Sequence, residues 1–454
     1  MPTQPRRPRS GRIFDWVVIP VSAFVFLGLV LYHYRRLDEQ HADTKLAKEL
    51  ASEKLVDAPI PKTSNVWPGW RGPNRDGVST ETNILTMWPT NGPKELWRQP
   101  VGVGYSSFAV ADGRVITTFQ DGDSEAVVAY DADSGKERWR FRHPAQYRNS
   151  FGDGPRATPT IDGDFVYSLG GTGVLHCLKA KANAVFVERV WSLDFAQVFN
   201  ARMPKWGVGH SPLIDGDRIY IMPGGTDGNA FAALDKKTGA ILWKKHDDEP
   251  SYASPIAGVF AGEKQILFFA GARLVAVAPD TGEELWDHPR VVDSNCNIAT
   301  PIVVGDYVFI SAGYNRGCAV LKIEKAGDTW KPALVYAHRR MRNHFSSSVR
   351  RGDFLYGFDD TNVTCMNFRT GEILWKERGF DKGSVLLVAN QLIIYGENGI
   401  LALADATPKE YTEKSRFTFT KNGRSCWSVP VLANGKLYVR DHEYLVCFDV
   451  AAKK

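Results

Sequence analysis

Along most of the chain an apolar strand end, a polar turn and a second strand opening on an aromatic residue return as a unit. Its clearest copy is LDKKTGAILW, Leu234 to Trp243. Variants stand at Tyr130 to Trp139 (YDADSGKERW), Val277 to Trp286 (VAPDTGEELW) and Met366 to Trp375 (MNFRTGEILW). The Thr-Gly or Ser-Gly step supplies the positive φ that a tight hairpin needs. A two-stranded unit cannot bury its own apolar face, so copies have to stack on one another.

The spacing counts the copies. Trp97, Trp139, Trp191, Trp243, Trp286 and Trp375 lie 42, 52, 52, 43 and 89 residues apart, and the last gap is two units. Val335 falls near the missing position, and Phe417, 42 residues after Trp375, is expected to take the same place in the next unit. That makes eight positions with a period near 45, the length of a four-stranded propeller blade. A second phrase, small residues opening an apolar strand, then a Gly-Asp-like turn and another strand, recurs as ATPTIDGDFVYSL from Ala157, TPIVVGDYVFIS from Thr300 and SVPVLANGKLYV from Ser428. Small side chains suit the crowded axis where innermost strands converge. The chain stops one strand short of a blade, and Lys94 to Gln99 has no blade of its own. The expected fold is therefore all-β, an eight-bladed β-propeller of four-stranded antiparallel blades closed by an N-terminal strand, which removes the two exposed sheet edges.

Composition adds an N-terminal segment of another kind. With 43% hydrophobic and 12% aromatic residues in 454, the chain has material for a large core. Its formal charge of +5 is already reached by the six Arg and one Asp of Met1 to Arg36, so the remainder is near neutral and no nucleic-acid partner is expected. Residues 13–34 are apolar apart from Asp15, long enough for one transmembrane helix. Four Arg precede this span and two follow it, which places residues 1–12 in the cytoplasm and the large domain outside the inner membrane, in the periplasm of a bacterium. Residues 35–66 read as a stalk or linker, and the propeller as 67–454. Within it, WPGWRGPNRDG, Trp67 to Gly77, is expected to pack the N-terminal arm on the body.

These phrases resemble a known family. The turn-to-Trp unit is similar to the tryptophan-docking repeat of quinoprotein alcohol dehydrogenases, eight-bladed propellers that hold pyrroloquinoline quinone (PQQ) and calcium. It equally resembles the accessory lipoprotein B of the outer-membrane β-barrel assembly machine, which shares the architecture without the cofactor. WPGWRGPNRDGVS, GPRATPTIDGDFVY, YASPI and MRNHFSSSV together look like the PQQ-like repeat proteins of planctomycetes and related bacteria. The resemblance covers about Trp67 to Val450 and implies the fold more than an activity.

The resemblance implies a quinone lying between a Trp and a disulfide of adjacent cysteines. None of Cys177, Cys296, Cys318, Cys365, Cys426 and Cys447 adjoins another, so that platform is missing and no cofactor is assigned. Cys177, Cys365 and Cys447 align at one strand position where Ala129 and Ala233 stand in other units, which marks them as small core residues. The sequence also lacks a Cys-x-x-Cys-His haem site, a His-Glu-x-x-His or His-x-His metal signature and a Gly-x-Ser-x-Gly elbow, and no catalytic residue is named.

A ligand site is expected where loops lead into the innermost strands, at the mouth of the central channel. Those loops carry Tyr105, Arg156, Trp206, His210, Tyr252, Asn295, Asn297, Arg342, Asn343, His344 and Trp427. Arg binds carboxylate or phosphate, His exchanges protons near neutrality and Trp offers a stacking face. The bland reading is that they satisfy buried carbonyls at a wet axis. The turn Gly313 to Gly317 either joins this rim or lies outside. Three functions stay open: a membrane-anchored, non-catalytic platform for a protein or extracellular polymer; a PQQ-dependent oxidoreductase with an unconventional site; and a factor in outer-membrane protein assembly, which the absence of a lipobox Cys near the N-terminus makes less apt.

Overall fold

Strands that bury both faces need neighbours on both sides, and a ring of sheets provides them without an end. The computed structural model describes residues 44–55, 66–420 and 426–452. Among these, eight sheets are each built as a meander around one axis. Their innermost strands, which number blades 1 to 8, are Ala109–Ala111, Thr160–Asp162, Leu213–Asp215, Ile256–Phe260, Ile302–Val304, Val349–Arg351, Gly383–Val388 and Val431–Ala433. Blade 8 takes its outer strand, Lys94–Pro100, from the N-terminal side, with Trp97 opposite Cys447 as the repeat arithmetic requires. The membrane span expected at residues 13–34 and the cytoplasmic 1–12 lie outside the described residues, among which no helix is long and apolar enough to cross a membrane.

The recurring tryptophan docks each blade on the next. Its ring tilts against a Tyr of its own blade in four blades, with centroids 5.9–6.2 Å apart and planes at 42–50°. Its indole N–H donates to a carbonyl in the following blade's turn: Trp97 to Ala132 at 3.2 Å, Trp191 to Lys236 at 3.2 Å, Trp243 to Pro279 at 2.9 Å and Trp375 to Thr407 at 2.8 Å. Beneath three of these rings, those of Trp97, Trp191 and Trp243, lies the turn glycine. A Cβ on Gly282 would meet Trp243 at 2.4 Å, so the glycine is required both by its φ of +70° and by contact. A one-residue bulge in front of the Trp recurs in every one of these outer strands. Cys177, Cys365 and Cys447 sit opposite Trp191, Trp375 and Trp97, buried and free, as small core residues.

Two positions differ from the expectation. In blade 5 the register gives the Trp place to Tyr336, next to Val335. In blade 7 it gives it to Ser415, not Phe417. Phe417 lies two residues further on the same face, and its ring covers Gly92 in the turn ahead of the closing strand. Trp88 stands at the vacated position, its backbone N–H on Ser415 Oγ at 2.6 Å and its ring edge-on to Phe417 at 5.8 Å. An aromatic dock is thus kept by two residues from different parts of the chain.

Small residues at the axis do more than make room. The Thr158 N–H donates to Ser211 Oγ and the Ser211 N–H to Ser254 Oγ, both at 2.9 Å. Ser107 N–H donates to Thr158 Oγ1 at 3.2 Å and Thr300 N–H to Ser347 Oγ at 2.9 Å. A hydroxyl of one blade therefore satisfies a buried amide of its predecessor, which an equally small Ala would leave orphaned.

The expected stalk is corrected in part. Thr44–Ser52 is a helix whose Leu46 and Leu50 are buried against Tyr307, Phe309, Leu355 and Phe368, apolar positions of blades 5 and 6. Glu49 holds Lys322 at 2.7 Å. WPGWRGPNRDG also does something other than packing an arm. Trp67 pairs with Val110, the Pro68 carbonyl accepts from Ile161 N–H at 2.7 Å, Arg75 Nη2 donates to Ser211 O at 2.9 Å and Arg71 Nη2 to Ser348 O at 2.7 Å. Val78–Ser79 then adds a parallel strand to Gly383–Val388, making blade 7 five-stranded. A segment that touches the innermost strands of blades 1, 2, 3, 6 and 7 has to cross the axis: it is a plug.

The docking geometry predicts unequal effects of two like substitutions. Gly216→Ala, at φ +60° with open space around it, should lower stability by about 1 kcal/mol through backbone strain. Gly282→Ala adds a clash with the indole and should cost about 1–3 kcal/mol more. Equal urea midpoints for the two variants would show that the ring does not need the glycine.

Candidate functional site

Above the plug the channel ends in a cavity of about 240 Å³. Every blade lines it through the loop leading into its innermost strand: Tyr105, Phe151 and Arg156, Trp206, Tyr252, Cys296 and Ile298, His344 and Phe345, Lys382, and Trp427. Trp70 of the plug lines it too, its indole N–H on Thr300 Oγ1 at 2.9 Å. Tyr314 also lines it, so the turn Gly313 to Gly317 joins the rim.

The rings form two arcs. In one, Tyr105 and Phe345 both stack on Trp427 with centroids 5.0 Å away, and His344 and Tyr314 continue the row at 4.8 Å. In the other, Tyr252 and Phe151 pack on Trp206 at 5.7 and 6.3 Å. Trp427 is oriented by its indole N–H on Glu397 Oε2 at 2.7 Å. Arg156 joins the arcs: its guanidinium lies over Tyr147 at 4.4 Å and Tyr105 at 5.4 Å and donates to the carbonyls of Gly152 and Gly154. Among the described residues Lys382 is the other lining cation, and none of the lining groups is a carboxylate. Burial lowers the imidazole of His344 to about 4, so it is neutral at pH 7, and its Nδ1 has no partner. The Cys296 thiol, pushed up to about 12 by burial, is not a nucleophile at neutral pH.

Six of the eleven residues expected at the mouth line the cavity: Tyr105, Arg156, Trp206, Tyr252, His344 and Trp427. The other five do not line it, and two of them, Asn297 and Asn343, satisfy buried carbonyls as the bland reading has it. His210 accepts the Met222 N–H at Nε2, 3.2 Å, and burial holds it at about 3. Asn297 donates to Ala270 O at 2.7 Å and Asn343 to Phe358 O at 3.0 Å, both fully buried. Arg342 pairs with the buried Asp359 at 2.7 Å. Asn295, at φ +54°, packs beneath Gly271. Trp70, Phe151, Phe345 and Lys382 were not singled out; Phe345 and Lys382 directly precede the small residues Ser346 and Gly383 of their blades, Phe151 lies six residues before Ala157, and Trp70 belongs to the plug motif.

Behind Arg156 lies a second buried group. Glu125 Oε1 accepts the Gly171 N–H at 2.9 Å, while Oε2 has no hydrogen-bond partner and stands 3.7 Å from Nε2 of His143, whose ring is 4.3 Å from that of His176. Burial raises the Glu125 carboxyl to about 7, opposed by the Gly171 amide and by Arg156.

An eight-bladed propeller of PQQ-like repeats with an aromatic, cationic socket on its axis is the class that fold and site define. The chain belongs to the family described as outer membrane protein assembly factor BamB, whose model matches residues 81–156 and 124–377. Outer membrane protein assembly factor BamB of Yersinia pestis is 24% identical over 391 residues, 80% of this chain and 91% of that protein. A quinoprotein ethanol dehydrogenase of Pseudomonas putida is 25% identical over 197 residues, which is 37% of this chain and only 30% of the enzyme. The crystal structure of BamB from Moraxella catarrhalis superposes with a TM-score of 0.55 at 15% identity, covering 79% of this chain and 99% of that one, a likeness of fold.

The carboxyl behind Arg156 predicts a pH dependence. A Glu whose pKa rises on folding from 4.5 to about 7 holds its proton more tightly in the folded state, so its share of stability is intact below pH 4.5, falls as pH rises and is gone above 7. Glu125→Gln should remove this loss, on the order of 3 kcal/mol at most, and gain stability over wild type at pH 8 but not at pH 4.5. An equal gain at both pH values in urea titrations would refute it.

Proposed function

We propose that the chain is a non-catalytic binding module of the bacterial cell envelope, anchored in the inner membrane through residues 13–34, with the N-terminus in the cytoplasm and the propeller in the periplasm. Its axial socket takes a ligand or a group of a partner, a protein or an extracellular polymer. One observation carries this reading: all eight blades direct stacking faces and fixed cations into one cavity with a closed floor. Such groups bind and orient. Arg156 is locked by carbonyls and rings, and His344 is neutral, so neither is poised to exchange a proton at pH 7.

The extent of similarity supports the same reading, since the match spans nearly the whole Yersinia pestis assembly factor but under a third of the Pseudomonas putida dehydrogenase. A role in assembling outer-membrane proteins is a narrower form of it. The quinone–calcium pair of the dehydrogenases does not fit the socket: among the described residues its lining provides one buried cysteine rather than two adjacent ones, and no carboxylate for a calcium ion. No reaction step is therefore derived through a quinone.

Titrating the purified chain with PQQ, with and without calcium, should give no saturable heat or absorbance change up to millimolar quinone. One-site binding that is lost in Trp427→Ala or Arg156→Ala would overturn the non-catalytic reading in favour of an oxidoreductase. Alkaline phosphatase fused after Leu55 should be active in cells, as an exported reporter is, and an inactive fusion would overturn the periplasmic placement.

A further inference from the structure

The socket is small and its surroundings are wet. About 240 Å³ falls below the roughly 300–1,000 Å³ of small-molecule sites and holds one ring or branched side chain with little beside it. Two of its lining aromatics stay largely in water, Phe151 at 56% and Tyr314 at 41% exposure. A small ligand inside the cavity touches both but leaves their outer faces in water. A chain segment lying across the mouth covers both, and a pocket within an exposed apolar rim is how protein anchor residues are received.

Charge selects the segment. Among the described residues the lining has Arg156 and Lys382 and no carboxylate; Asp360 stands 3.9 Å from Lys382 Nζ outside the lining, and the Lys205 ammonium lies over the Trp206 ring at 4.8 Å. Arg156 is pre-organised by its two carbonyls and two rings, so it loses little freedom when it meets an anion. A basic segment would meet these cations with no carboxylate among the described lining residues to offset them.

We propose that the mouth of the channel docks an acidic peptide segment of a partner protein, one aromatic or aliphatic side chain entering the socket and flanking carboxylates pairing with Arg156 and Lys382. This rests on the binding-module reading above and names its partner by chemistry.

A phage-displayed random heptapeptide library panned on the full-length chain in detergent micelles tests it. The expected result is enrichment of an aromatic or large aliphatic residue flanked by at least two Asp or Glu. The synthetic enriched peptide should bind with an affinity that falls as salt rises, and at least tenfold more weakly to Lys382→Glu and Arg156→Met, both checked for an unchanged circular dichroism spectrum. Enrichment of basic or sequence-neutral peptides, or equal binding by Lys382→Glu, overturns the proposal. Saturable binding of indole-3-propionate without any enriched peptide overturns it too, but leaves the chain a binding module for small anions. If neither probe binds, the binding-module reading falls with it.

Discussion

Closing eight sheets around one axis forces their innermost strands together, and the hydroxyl-to-amide bonds between neighbouring blades make that crowding tolerable. Ser211 and Thr158 illustrate the constraint: each is small enough for the axis, and each gives its neighbour's buried amide a partner. An apolar side chain of the same size would fit and leave the amide unpaired, which buried backbone rarely accepts. The docking tryptophans solve the matching problem further out, where the wedge between blades widens and a large ring is needed to fill it. In two blades the docking Trp lacks the indole bond to the next blade. The Trp139 indole N–H has no hydrogen-bond partner, and that of Trp286 returns to Gln265 of its own blade.

A ring of eight also leaves a hole, and the molecule fills it with its own chain. Arg71 and Arg75 lie there almost wholly buried, bound to backbone carbonyls and lowered by burial to about 10 and about 9, so they remain cations at neutral pH. The axial cavity is what the plug leaves open above itself, and its floor residue, Trp70, belongs to the plug. Site and fold are thus consequences of the same vacancy on the axis.

The periodic features were legible in the chain because they recur along it: the outer-strand aromatic after a turn, the small residue at the axis, the unpaired strand at Lys94. What escaped depends on a partner far away in sequence. Nothing local tells that Phe417 shares a docking place with Trp88, or that WPGWRGPNRDG crosses a channel. The site behaved likewise. Position in a leading loop brought out Tyr105, Arg156 and Trp427. It did not separate His344, which faces the cavity, from its neighbour Asn343, which turns away to bond Phe358 and Ser348. Adjacent residues on a loop point in opposite directions, and only the backbone decides which of them meets the ligand.

The closing strand carries a kinetic implication. Lys94–Pro100 is made early and pairs with Tyr444–Asp449 near the far end of the chain, about 350 residues later. Bringing ends so far apart together costs about 5 kcal/mol of chain entropy, recovered only once the last blade exists. Until then both rims of a growing seven-blade arc stay open, and strand edges in that state are prone to wrong pairing. The plug and the helix at Thr44–Ser52 draw on blades 1 to 3 and 5 to 7, all of which are made before the C-terminal strand. Their early docking would hold the arc in shape and keep the first strand waiting beside the gap that the last one fills.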